Sequence, residues 1–185
     1  MAEGSSHQLS AIRDVLPPCG KEVAVTGLRR LQEYLDRHHV HYEVLDHEAA
    51  YTAPEIAHTL HVSGKMLAKV VMIQADQRLV MAVLPSNWQI DFARLKEALR
   101  SRHVRLATEE EFQGLFPDCE IGTMPPFGNL YDVPVYVDEL LAEDEEIVFE
   151  AGTHFGALKL RYQDFADLVH PIVAEFHQAP IKLGG

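Results

Sequence analysis

Apolar residues first recur at helical spacing from Thr26 onward, where Leu28, Leu31 and Leu35 form one stripe with charged residues between them. With Thr26 as N-cap, this pattern predicts an amphipathic helix running to about His38. Residues 41–45 then read as a short strand. Thr52-Ala-Pro-Glu55 has the form of a capping box, with Pro54 in the first turn where its missing N–H does no harm. Ile56, Ala57 and Leu60 supply the apolar face of that second helix, which should end near His61.

Residues 65–75 and 78–84 are two apolar runs parted by Asp76-Gln77, the spacing of a hairpin. Asp91 opens a helix through Leu95 and Leu99, and Thr108 to Glu111 forms another capping box ahead of Phe112 and Leu115. Residues 133–137, 147–149 and 157–161 read as strands, and 163–176 as a closing helix that Pro171 bends or interrupts. Helices and strands are intermixed without strict βαβ alternation. A mixed α/β (α+β) fold, a mixed sheet flanked by helices, is therefore favoured over a doubly wound parallel sheet. Residues 1–25 are polar and broken by Gly4-Ser5-Ser6, Pro17-Pro18 and Gly20, so they are expected to form a partly ordered arm before one domain at 26–185.

Composition narrows the classes. A chain of 185 residues with 47% hydrophobic content can bury a real core as one domain. Cys19 and Cys119 lie far apart without near partners, which gives neither a disulfide framework nor a Cys-based zinc site, and a reducing cytoplasm is the default. No secretory signal is expected in the first 25 residues, and no apolar run has the length of a membrane span.

The net charge of −12 excludes a surface coated in basic residues for nonspecific nucleic-acid binding. The charge is uneven, however. Residues 1–105 hold 13 Lys and Arg against 12 Asp and Glu, whereas 106–185 hold 3 against 16, so an anionic ligand should meet the first part of the chain. The plainer account of the acidic part is a solvated face.

Lys69 stands alone in an otherwise apolar strand, Met66 to Ile73. An ammonium there must reach an anionic partner, open onto a pocket, or snorkel from the strand end. Residues 122–128 (GTMPPFG) form a stiff loop whose backbone can approach a ligand closely, with amide groups suited to holding a carbonyl oxygen or an anion. The loop lacks the Lys and hydroxyl of a phosphate-binding P-loop. His38, His39, His41 and His47 are the densest of eleven histidines, but a helix-to-strand boundary splays them, and surface histidines are favoured over a metal site. Thr153 and His154 lie between Gly152 and Gly156 at a strand junction, either as pocket groups or in an ordinary turn. No Ser or Cys occupies a nucleophile-elbow context.

In order along the chain, these pieces resemble the YbaK/ProX family of aminoacyl-tRNA deacylases over roughly residues 27–169. The resemblance rests on His47, Thr52-Ala-Pro-Glu55 with Ala57 and Leu60, Ala68-Lys69-Val70-Val71, Ala82 to Pro85, Asp91 and Leu95. It continues through Gly122-Thr123-Met124-Pro125-Pro126 with Phe127-Gly128, Val137-Asp138 and Gly152-Thr153-His154. The family commonly places Thr or Asn after the lysine, whereas Val70 stands here and offers neither hydroxyl nor amide.

The resemblance implies a strongly curved, mixed and largely antiparallel sheet whose pocket is surrounded by helices. It implies hydrolysis of the ester that joins a wrongly attached small amino acid to the tRNA 3′ end, in trans, with no metal and no organic cofactor. Lys69 and Gly122 would be catalytic, with His47, Thr52, Thr123, Met124, Pro126, Thr153 and His154 binding substrate. The acceptor end of a mischarged tRNA is the implied partner, with an aminoacyl-tRNA synthetase as a second. The amino acid removed and the oligomeric state are left open. A non-catalytic module that binds a small ligand or partner in the same pocket is the alternative.

Overall fold

The computed structural model describes residues 22–47 and 53–178. Helix α1 (Glu22–Arg37) begins a turn earlier than the periodicity indicates, so Thr26 lies inside the helix rather than at its cap. No Pro or Gly lies between Glu22 and Thr26, and the backbone continues helically upstream. Residues 1–21 of the expected arm lie outside the described residues. Leu31 and Leu35, the predicted stripe, are fully buried, and His39 in the left-handed region (φ 57°) ends the turn that follows the helix.

Among the described residues the strands are β1 (Tyr42–Asp46), β2 (Ala68–Ala75), β3 (Arg78–Pro85), β4 (Gln89–Ile90), β5 (Val104–Leu106), β6 (Val135–Asp138), β7 (Glu146–Thr153), β8 (Gly156–Arg161), β9 (Ile172–Ala174) and β10 (His177–Gln178). The remaining helices are α2 (Ala53–Thr59), α3 (Phe92–Leu99), α4 (Glu109–Phe112), α5 (Glu139–Ala142) and α6 (Tyr162–Val169).

The larger sheet runs β5-β2-β3-β6-β9, antiparallel through its first three strands and parallel through its last three. A second sheet, β1-β8-β7, is wholly antiparallel, and β4 pairs with β10. The expected mixed sheet with helices around it is therefore the observed architecture. Between the two larger sheets, Leu67 bridges to Val148 in parallel sense and the Val148 N–H donates to the Met66 carbonyl at 3.0 Å.

The β2–β3 hairpin has the two-residue turn that the sequence indicates. Asp76 takes φ 51° there, and its carboxylate accepts from the amides of Arg102 (3.1 Å) and His103 (2.9 Å). Those two amides hold the Asp76 carboxyl below its usual range. Asp91 caps α3 by accepting from Ala93 and Arg94, as expected. Before α4, the Thr108 amide donates to the Glu111 carboxylate at 2.8 Å, again as the capping pattern requires.

The closing helix is shorter than its apolar pattern indicates. It ends at Val169, His170 adopts φ 50°, and residues 172–174 pair in parallel with β6 as a strand. Pro171 explains the correction, because it cannot donate to a continuing helix and restrains the residue before it from helical geometry.

One core lies between the sheets, where Phe127, Phe149 and Phe165 meet Leu31 and Leu35. Ring centroids of 5.6 Å (Phe127–Phe149) and 5.5 Å (Phe127–Phe165) place the loop residue Phe127 at the centre of an aromatic cluster. A second core on the other face of the larger sheet packs Leu95 and Leu99 of α3 on Ile73, Val80 and Leu84, with Phe176. Ile56 of α2 covers Leu67, Val148 and Ala157 at the seam between the sheets.

Candidate functional site

A cavity of about 140 Å³ opens at that seam, lined by Ile56, Leu67, Ala68, Lys69, Val70, Gly122, Met124 and Glu150. The sequence-predicted Lys69, Gly122 and Met124 are thus brought together from β2 and from the loop. Lys69 is half-buried, and its Nζ donates to the carbonyl of Ser86 at 3.3 Å and to that of Trp88. Both acceptors come from the turn after β3, which β2 reaches because the hairpin aligns Lys69 with Leu84 and Ala68 with Pro85. Burial lowers the Lys69 pKa. Two of the three ammonium protons are used by carbonyls, so one is left for a ligand oxygen.

The loop is fastened to the end of β7. The Gly152 amide donates to the Thr123 carbonyl at 2.8 Å, and the Glu120 amide donates to the Gly152 carbonyl at 3.1 Å. Gly122 and Gly152 both adopt φ 92°, a conformation that side chains disfavour. At Gly122 the constraint is the backbone rather than space, since an added Cβ would meet only His154 Cε1 at 3.9 Å. Among the described residues the amides of Gly122 and Met124 make no hydrogen bond, whereas that of Thr123 donates to the Glu120 carbonyl at 3.1 Å. Two unspent donors therefore border the cavity.

The other predicted residues take different places. Thr123 is fully buried, and its hydroxyl donates to the Glu120 carbonyl at 2.9 Å. Pro126 is buried in the loop without lining the cavity. The Thr153 hydroxyl accepts from the Phe155 amide at 3.0 Å and shapes the β7–β8 turn. His47 follows β1, its amide donating to the Phe155 carbonyl at 3.0 Å. Thr52 lies outside the described residues. The His154 amide donates to the Glu120 carboxylate at 2.9 Å, and its Nδ1 stands 3.5 Å from Glu150 Oε1.

Glu150 is the cavity residue that the sequence reading missed. It lies in β7 between the buried Phe149 and Ala151, and its side chain is 15% exposed. Burial, reinforced by repulsion from Glu120, pushes its carboxyl up to about 8. The signal was present, because Glu150 is a charge set between the apolar run Ile147 to Phe149 and Ala151. The site thus holds an ammonium, two free amides and a carboxyl that gains or loses its proton near neutral pH. This set suits binding and polarising an ester carbonyl beside a group that can take a proton from water.

Comparison with known proteins bears on the family and the fold. The proline–tRNA ligase of Bacillus subtilis is 34% identical over 125 residues, covering 63% of this chain and 22% of the ligase. That of Heliobacterium modesticaldum is 32% identical over 87 residues, covering 47% of this chain and 15% of the ligase. The chain thus spans less than a quarter of the length of these curated relatives. A solved structure described as a candidate trans-editing enzyme for prolyl tRNA synthetase superposes with a TM-score of 0.72 at 22% identity, covering 83% of this chain and 98% of that one, and shares the fold. The family model described as the aminoacyl-tRNA editing domain matches residues 47–168, from the end of β1 through α6, and the chain belongs to that family.

Proposed function

We propose that the protein hydrolyses, in trans, the ester between a wrongly attached small amino acid and the 3′ end of tRNA. The observation that carries this reading is the small cavity that gathers Lys69, the loop glycine and Glu150. A cavity of comparable size, about 150 Å³, accommodates one benzene ring. An alanyl, seryl or cysteinyl group fits that volume, whereas a long or aromatic aminoacyl group overfills it.

In this reading the ester carbonyl faces the amides of Gly122 and Met124, which stabilise the negative charge that develops on its oxygen. Lys69 uses its remaining proton to hold the ribose or terminal phosphate and so orients the ester. Water attacks the carbonyl carbon and gives a proton to the Glu150 carboxylate. The bond to the ribose oxygen then breaks, and that oxygen takes the proton back as the amino acid leaves. Glu120 fixes the backbone of His154 beside the cavity. A synthetase that produces the mischarged tRNA is the second partner of this reading, consistent with relatives that are proline–tRNA ligases.

Single-turnover deacylation of tRNAs carrying alanyl, seryl, cysteinyl and larger groups tests the proposal. Small groups should be released fastest, with a rate above background that climbs with pH and levels off near the Glu150 pKa of about 8. Hydrolysis of none of them, with small-ligand binding retained, would establish the non-catalytic module instead.

A further inference from the structure

At the far end of β2 from Lys69 lies a larger groove, about 580 Å³, between α3 and β5. It is lined by Phe92, Lys96, Arg102, His103 and Arg105, together with Gln74 and Asp76. Residues 94–105 carry five Lys or Arg against one Glu, in a protein whose net charge is −12. Arg105 is paired with Glu111 at 2.6 Å and Asp76 is occupied by backbone amides, whereas Lys96 and Arg102 are exposed and make no ion pair among the described residues. Arg100, also exposed, lines the adjoining cleft with Arg78.

Phe92 is 39% exposed at the rim, an aromatic face that the core does not use. Cations beside an unpartnered aromatic ring are the chemistry by which proteins hold nucleic-acid strands, phosphates on the cations and a base on the ring. A protein partner would need no such cation excess.

The spacing fits one substrate. Five residues of β2 separate Lys69 from Gln74, about 17 Å at a strand's rise. Stacked nucleotides advance about 3.4 Å each along one strand, so the groove lies about five nucleotides from an ester held at the cavity.

We infer that the α3–β5 groove is a second tRNA contact, binding the phosphodiester backbone about five nucleotides before the aminoacylated end with a base stacked on Phe92. The inference rests on the editing reading for its substrate and adds a site outside the cavity. It also accounts for how an acidic protein engages a polyanion, through one edge that is locally basic.

The test compares a mischarged tRNA with the same amino acid esterified to adenosine alone, which reaches the cavity but not the groove. The double variant Lys96→Glu with Arg102→Glu should raise the half-saturating tRNA concentration at least ~10-fold and reduce the salt slope of binding by about 2. Its rate on the adenosine ester should stay within about twofold of the parent, since the cavity is untouched. Phe92→Ala should weaken tRNA binding about fivefold or more, in keeping with the loss of one stacking contact, and leave the salt slope unchanged. Unchanged tRNA affinity in the double variant and in Phe92→Ala, or equal losses on both substrates with the melting temperature retained, would overturn the inference. If the parent hydrolyses neither ester, the editing reading fails separately. Binding of uncharged tRNA by the same variants then decides the groove, with loss supporting it and no change overturning it.

Discussion

Lys69 in β2 and Glu150 in β7 are charges flanked by apolar residues in strands of two different sheets, and both border one cavity. The fold treats them differently. Lys69 finds two carbonyl acceptors in the turn after β3, so its charge is partly solvated by the protein. Glu150 faces another carboxylate, and its Oε1 lies 3.5 Å from His154 Nδ1. Their pH dependences run in opposite directions. The lowered Lys69 pKa means that the unfolded chain holds its proton longer, so this group's effect on stability improves as pH rises toward the ordinary lysine value. The raised Glu150 pKa means that the folded chain holds its proton longer, so its effect worsens as pH rises from about 4.5 to about 8. Both groups are kept where the fold alone would prefer apolar side chains, as expected of a site rather than of a scaffold.

Removing Lys69 should have the largest effect. Lys69→Ala is expected to slow deacylation ~100-fold or more by loss of orientation, with a melting temperature within a few degrees of the parent. A parent-like rate in single-turnover assays would take Lys69 out of the site.

Glu150→Gln sharpens the contrast, because it keeps the shape and removes the titration. The variant should be slowed on the order of 100-fold or more. Thermal melts should show it gaining stability over the parent as pH rises from 5 to above 8, by several degrees. A constant difference across that range would show that Glu150 does not hold its proton in the folded state.

Gly122→Val places a branched side chain at φ 92°, a strain of about 1–3 kcal/mol that should shift the two free amides. Its deacylation rate should fall about 10-fold or more, whereas Thr123→Ala should change the rate little. Thr123→Ala should instead lower stability by about 1 kcal/mol through loss of the hydrogen bond to Glu120, read from denaturant melts. Similar rates for the two variants would remove the loop backbone from the mechanism.

Much of this arrangement was legible in the chain. The β2–β3 hairpin followed from a two-residue polar break, and the Asp91 and Glu111 caps followed from side-chain chemistry local to a helix end. The short β4, β5 and β10 were not, because two or three residues carry no periodicity. β9 was hidden in an apolar stretch that pattern alone assigns to a helix, until Pro171 decides otherwise. Lys69 and the loop stood out, yet Glu150 passed as one more acid in an acidic half. The direction of the Thr123 hydroxyl depends on how the loop is fastened to Gly152, a contact between segments that sequence spacing does not encode.

The bridge from Leu67 to Val148 also has a consequence for motion. Strands β2 and β3 pair across eight residues, whereas the bridge is the only ladder contact between the two larger sheets among the described residues. Local opening draws on the regions with the fewest cooperative hydrogen bonds, so the Val148 amide should exchange with solvent deuterium before those at the centre of β3. The seam that shapes the cavity is then also a place where the protein opens more readily than within β2–β3, by a small parting of two sheets while each sheet stays intact.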